Sequence, residues 1–198
     1  MCAQRNDGTD KAEWRAKLTA ARASLSLARR VSEANALSEA LGSIALPDTV
    51  CCYVPFDTEP GSIAWLDVLR NRGARVLLPV ILDRPSALEW AEYTGTNALS
   101  PGRLRGVLEP EGPRLGPAAI GKAGLVLVPA LAVDRTGVRL GRGAGYYDRS
   151  LVHVAPGTDL IAVVRDDELV DQLPADPHDV RMTGALTPGS GLVRLPAA

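Results

Sequence analysis

Between Asp134 and Arg149 the chain reads DRTGVRLGRGAGYYDR. Gly141, Gly143 and Gly145 alternate with Arg142 and Ala144 directly before an expected helix. Glycines in such a place let backbone N–H groups approach a phosphate, and a helix N-terminus adds positive potential. Arg139, Arg142 and Arg149 contribute guanidinium forks suited to phosphate or carboxylate. Asp148, in the first helical turn, can be a dipole partner or a ligand for a hard cation. The run is neither a Walker loop, GxxxxGK[ST], nor a dinucleotide GxGxxG fingerprint. Three alternating glycines, these three arginines and a Tyr-Tyr-Asp within sixteen residues point to anion binding rather than to a flexible connection.

A second group of cations lies near the N-terminus. Lys11, Arg15 and Arg22 run along an expected helix, Lys11–Leu27, beside an apolar row of Trp14, Leu18, Ala21 and Leu25. Two arrangements fit that spacing. The cations can form a solvated edge with snorkelling stems, or they can overhang an anion site once the apolar face docks.

These side chains need a scaffold. At 198 residues the chain is expected to be one domain, given about 150 residues per domain. Apolar residues make up 46% and charged residues 23%, which excludes disorder and a coiled coil. A net charge of −1 supplies no global field toward nucleic acid or anionic lipid. Any bound anion must therefore be held locally. Tyr146 and Tyr147, side by side among glycines, are poorly placed if packing is their only purpose. Cys2, Cys51 and Cys52 cannot build a disulfide framework or a paired zinc site, and they read as small residues of a reduced, cytoplasmic protein. No apolar run approaches a membrane span, and the polar residues 1–9 are expected to fray.

Thr49–Phe56, Ala74–Leu82, Leu125–Asp134 and Asp159–Val164 read as buried strands, Leu88–Thr94 as a half-exposed one and Thr183–Thr187 as a short last strand. Helices are expected over Ser32–Ser43, Ser62–Asn71 and Tyr147–Val154. Residues 95–124, rich in Gly and Pro, form a long connection. Apolar strands alternating with helices imply an α/β fold with a mainly parallel sheet and helices on both faces, whose ligands bind beyond the carboxyl ends of the strands.

RLGRGAGYYDR, preceded by LVPALAVD, resembles the signature of 5-formyltetrahydrofolate cyclo-ligases, also called 5,10-methenyltetrahydrofolate synthetases. The likeness extends over most of the chain. Lys11, Arg15 and Arg22 are similar to the family's N-terminal Lys-x-x-x-Arg helix, and Tyr53–Ser62 to its strand-loop with a substrate-contacting glutamate. Glu109-Pro110 resembles its Glu-Pro turn, and Leu173–Val180 its late acidic loop. Three positions depart from the pattern: Val133 stands where Phe is frequent, Pro60-Gly61 interrupts the run after Glu59, and Arg142 occupies a position often aromatic.

The resemblance implies a three-layer sandwich of the sugar-isomerase and CoA-transferase (NagB/RpiA) type. Its implied reaction closes 5-formyltetrahydrofolate to 5,10-methenyltetrahydrofolate with ATP and Mg²⁺, releasing ADP and phosphate. Lys11, Arg15, Arg139 and the run Gly141, Arg142, Gly143, Ala144, Gly145, Tyr146, Tyr147 would hold ATP. Val54, Glu59, Arg142 and Tyr146 would hold the folate, with Tyr53 and Trp90 as further apolar wall unless Trp90 simply packs at the core edge. Arg142 and Tyr147 would be catalytic, although which tyrosine faces the pterin stays open. Asp148 and Asp179 would be the metal ligands. His153 and His178 have no partners at metal spacing and are expected to be neither ligands nor bases. The implied partners are small molecules alone, with neither nucleic acid nor membrane, and the chain is expected to be a monomer or weak homo-oligomer. The competing readings are a sugar-phosphate isomerase or CoA-transferase relative, and a nucleotide- or folate-binding protein without catalysis.

Overall fold

Along the apolar strands, alternate side chains enter two different cores, as the period of two requires. The computed structural model describes residues 10–83, 85–177 and 179–196. Helices α1 (Lys11–Ala23) and α2 (Leu27–Ser43) precede strand β1 (Thr49–Cys51), helix α3 (Ala64–Asn71) and strands β2 (Arg75–Val80) and β3 (Glu89–Glu92). A hairpin of β4 (Leu99–Pro101) and β5 (Leu108–Pro110) leads to β6 (Leu125–Pro129), β7 (Ala132–Asp134) and β8 (Arg139–Leu140). Helix α4 (Tyr146–Leu151) and strands β9 (Asp159–Val163), β10 (Leu169–Val170), β11 (Gly184–Thr187) and β12 (Gly191–Arg194) follow.

Seven strands make one sheet in the order β12-β11-β9-β6-β1-β2-β3. The five inner strands are parallel, and β3 and β12 close the edges antiparallel. Val50, Val76, Leu127 and Ile161 pack on one face against Leu37 and Leu41 of α2 and Trp65 and Leu69 of α3. Cys51, Leu77, Val126 and Ala162 pack on the other, with Ile120 of a 3₁₀ turn (Pro117–Lys122) and Leu151 of α4. The fold is mixed α/β with a large, mostly parallel sheet. Leu18 of α1 joins a third cluster with Ala132 and Leu140, docking the N-terminal helix on the small sheet β10-β7-β8.

Several expected boundaries move. The first helix stops at Ala23, and Ser24, still in the right-handed helical region, caps it by donating its hydroxyl to the Ala21 carbonyl (2.7 Å). The second starts five residues early, at Leu27, where the Ser26 hydroxyl accepts from Arg29 N. The expected strand Leu125–Asp134 divides between two sheets, β6 in the large one and β7 in the small one. The chain turns at Ala130-Leu131, an apolar corner that carries no turn residue. The connection 95–124 contains the β4–β5 hairpin, and residues 147–154 give a helix of only six residues beginning at Tyr146. Strands β8, β10 and β12 were not expected, being too short to show a period. Cys51 and Cys52 are buried free thiols, and burial pushes both well up. Residues 1–9, including Cys2, and His178 lie outside the described residues.

Candidate functional site

The carboxyl ends of β1, β2 and β6 open on a cavity of about 180 Å³. The run Gly141–Asp148 lines it, with Val54 and Glu59 from the loop after β1 and Arg139 from β8. Local structure explains the loop's shape. Gly143 and Gly145 have positive φ (98° and 71°), in the region that favours glycine. Asp134, fully buried, accepts from Thr136 N, Thr136 Oγ1, Val138 N and Leu173 N, which ties the turn before β8 to the segment beyond β10.

Glu59 is the buried carboxylate of the site, its side chain 7% exposed. It accepts from Phe56 N (3.3 Å) and faces Arg142 Nε at 3.4 Å. Burial raises it from 4.5 to about 7, against the pull of Arg142. Arg142 also stacks on Phe56, 4.8 Å from the ring centroid, so its side chain has neighbouring bulk despite the flanking glycines. Pro60-Gly61 has a structural explanation. The Pro60 carbonyl accepts from Tyr53 Oη (3.0 Å), and Gly61, at φ 102°, lies where a Cβ would be 2.5 Å from Trp65.

On the opposite wall, Arg139 donates to Asp148, and its guanidinium lies 5.9 Å from the Tyr147 ring centroid. Burial lowers Arg139, opposed chiefly by Asp148, and burial raises Tyr147 well above its ordinary value. Arg139 Nε and Tyr147 Oη are buried and unpartnered among the described residues. Both thus hold unspent hydrogen-bonding capacity at the cavity, where a ligand can satisfy it. Arg149 is spent on structure, donating to Ser86 O and Ala144 O and stacking on Tyr146.

Lys11, Arg15 and Asp179 are not in the cavity wall. Lys11 pairs with Asp176 (2.6 Å) and Asp179 (3.0 Å), and Arg15 Nε donates to Gly141 O (2.9 Å), over the glycine loop. Asp179 sits below its ordinary value despite partial burial, held there by Asp176 N and Lys11. Trp90 is fully buried in the second core and does not line the cavity, so of its two expected places it takes the packing one. Arg22 is likewise no solvated edge. It is 2% exposed and grips Glu168 through Nε (2.6 Å) and Nη2 (2.7 Å). Among the described residues no three His, Cys, Asp or Glu side chains form a metal cluster. Asp148, at the rim and 65% exposed, and Asp179 are each paired with a cation. A hard cation such as Mg²⁺ takes one or two carboxylates plus other oxygens, and both residues supply that donor type.

Sequence reasoning missed the apolar side of the cavity, Pro79, Ile81, Leu88, Leu104, Val107 and Leu108. Pro79 and Ile81 could have been found from the rule that ligands meet strand carboxyl ends. The hairpin residues Leu104, Val107 and Leu108 carry no local signal.

Residues 7–188 match the model of the 5-formyltetrahydrofolate cyclo-ligase family. A Mycolicibacterium smegmatis protein named 5-formyltetrahydrofolate cyclo-ligase is 51% identical over 191 residues, covering 93% of this chain and 97% of its own. The solved structure of Aquifex aeolicus 5,10-methenyltetrahydrofolate synthetase superposes with a TM-score of 0.72 at 28% identity, covering 95% of this chain and 94% of the other. A Mycoplasma pneumoniae 5,10-methenyltetrahydrofolate synthetase shares the fold, with a TM-score of 0.69 at 20% identity over 88% and 96% of the two chains. With that match running through the α1 cations, the Glu59 loop and the glycine–arginine run alike, the chain belongs to the 5-formyltetrahydrofolate cyclo-ligase family.

Proposed function

We propose that the protein is a cytoplasmic, single-domain enzyme of the NagB/RpiA-type sandwich that closes 5-formyltetrahydrofolate to 5,10-methenyltetrahydrofolate at the expense of ATP. The observation that carries this reading is the cavity itself. An apolar wall suits a flat heterocycle, Glu59 is an acceptor at one side, and Arg142 and Arg139 stand along the glycine loop. The amide-like formyl carbonyl is a poor electrophile, so its oxygen must become a leaving group. Transfer of the γ-phosphoryl group to that oxygen forms an O–P bond and releases ADP. N10 then forms a bond to the formyl carbon and gives up its proton, and the C–O bond breaks with loss of phosphate. Positioning and charge stabilisation carry such a reaction.

In this reading Glu59 accepts hydrogen bonds from the folate, Val54 and Tyr146 bound its ring, and Arg142 meets the formyl oxygen or the transferring phosphoryl group. The nucleotide phosphates lie along Gly141–Gly145 toward Arg139, with Lys11 and Arg15 of α1 beyond, and Tyr147 Oη donates into the same space. Asp148 and Asp179 would hold Mg²⁺, which would supply neutralisation of phosphate charge. Because α4 is a single short helix, the anion site rests on guanidinium groups and loop N–H groups rather than on a macrodipole. The test is the methenyltetrahydrofolate absorbance band. It should grow only when 5-formyltetrahydrofolate and ATP are both present, and growth without ATP, or none with both, would sink the reading.

A further inference from the structure

At the back wall of the cavity, which Arg22 lines, four charged side chains are packed together, Glu33 at the outer, partly exposed side and the other three buried. Arg22 of α1 and Glu168 pair bidentately, with side-chain exposures of 2% and 5%. Arg22 Nη2 also donates to Ala130 O (2.6 Å), in the turn after β6 that lines the cavity. Arg165, just past the end of β9 and 3% exposed, donates from Nε to Glu33 of α2 (2.7 Å) and from Nη1 to Thr58 O (3.2 Å). Glu168 Oε2 accepts from Arg165 N (2.8 Å), and its Oε1 lies 3.6 Å from Arg165 Nη1. Burying so many charges is costly, and apolar replacements of buried pairs often leave a fold as stable or more so. Stability alone therefore does not account for the cluster. What its hydrogen bonds do is fix two cavity-forming segments relative to each other.

Thr58 immediately precedes Glu59. The loop around it is under tension of its own, with Asp57 at φ 56°, the sole non-glycine residue of positive φ among those described. Four hydrogen bonds hold the backbone of this loop: Tyr53 Oη to Pro60 O, Phe56 N to Glu59 Oε2, Glu59 N to Phe56 O, and Arg165 Nη1 to Thr58 O. Arg142 meets the side chains of Phe56, Asp57 and Glu59 from the ligand side, and among the described residues only the backbone bond from Arg165 comes from another part of the chain. It is also the one tied, through Glu168, to Arg22 and so to the turn at Ala130. We propose that Arg165 is a positioning residue for the folate side of the site, holding the Thr58 carbonyl so that Glu59 faces the ligand, with Glu168 and Glu33 orienting its guanidinium. This rests on the folate reading of the cavity given above.

The test is Arg165→Lys, which keeps the charge but cannot span Glu33 and Thr58 together. KM for 5-formyltetrahydrofolate should rise about tenfold, equivalent to about 1.4 kcal/mol. KM for ATP and kcat should each stay within about twofold of wild type. A general structural defect would instead lower the active fraction, reducing kcat with both KM values unchanged. A second readout does not depend on turnover. Glu59 N donates to Phe56 O (3.1 Å), and amide hydrogen exchange over 57–59 should accelerate in the variant while β6 and β9 keep wild-type protection. If wild type shows no ATP-dependent turnover, the folate reading falls and the exchange experiment still decides whether Arg165 holds the loop. Should Arg165→Lys not fold, Glu33→Gln, which loosens the guanidinium from its outer side, should give the same KM split and exchange pattern at smaller size. Parallel changes in both KM values, a fall in kcat alone, or unchanged exchange at 57–59 would overturn the proposal.

Discussion

In the proposed reaction, Arg142 is the residue on which the chemistry turns. Its guanidinium is stacked on Phe56 and faces Glu59, so it is held in place before any ligand arrives. A preorganised donor is worth most where charge develops, and losing one typically costs about 10²–10³-fold in kcat, or 3–4 kcal/mol. Arg142→Ala is expected to fall in that range. Arg142→Lys should recover part of it, because a point charge cannot reproduce the fork. Steady-state kinetics with both substrates varied decide this. A kcat within about threefold of wild type in the Ala variant would leave Arg139 to carry the charge. Asp148 is a separate case. Its pairing with Arg139 must give way if it is to ligate Mg²⁺. Asp148→Asn, nearly isosteric, should shift the Mg²⁺ dependence of activity to higher concentration with thermal stability unchanged, and superimposable titrations would remove it from the ligand set.

At the scale of elements, α1 separates two kinds of cation that its spacing makes look alike. Lys11 lies at the start of the helix on the 176–179 segment, and Arg22 lies near its end, in the interior. Lys11→Ala is expected to raise KM for ATP more than KM for folate and to change stability by less than about 1 kcal/mol. Arg22→Ala strands Glu168 without its partner, and breaking such a buried pair costs about 3–5 kcal/mol. Denaturant titration of both variants, alongside their kinetics, separates the roles. Equal stability losses at the two positions would contradict the assignment.

On the scale of the whole molecule, Glu59 couples folding to pH. Burial holds it near 7 in the folded protein, and the unfolded chain ionises near 4.5. Between those values the folded state binds the extra proton, so stability falls as pH rises. The contribution is complete below about 4.5 and is lost as pH passes through about 7. The groups facing this carboxyl are Arg142, Asp57, Arg22, Tyr53 and Tyr147. Glu59→Gln should remove this part of the slope between pH 5 and 8, measured by chemical denaturation without ligands. An unchanged slope would mean that Glu59 is ionised throughout, held by Arg142.

Local pattern alone determined much of this protein. The apolar runs beginning at Thr49, Ala74, Leu125 and Asp159 had to become inner strands, because only a parallel sheet covered on both faces hides both sides of such a run. The glycine–arginine run marked a loop of special backbone shape, because the positive φ at Gly143 and Gly145 favours glycine. Tertiary structure decided the rest. Whether Arg22 meets water or Glu168 depends on a 3₁₀ turn (Asp166–Glu168) 146 residues away, and no spacing within a helix carries that distance. The hairpin wall at Leu104–Leu108, the corner at Ala130-Leu131 and the pairing of Lys11 with Asp176 and Asp179 likewise depend on long-range packing. Glu59 shows the division most clearly. Its place after a strand was legible, whereas its shift toward neutral pH arises from burial and is opposed by Arg142, and both exist only once the chain has closed around it.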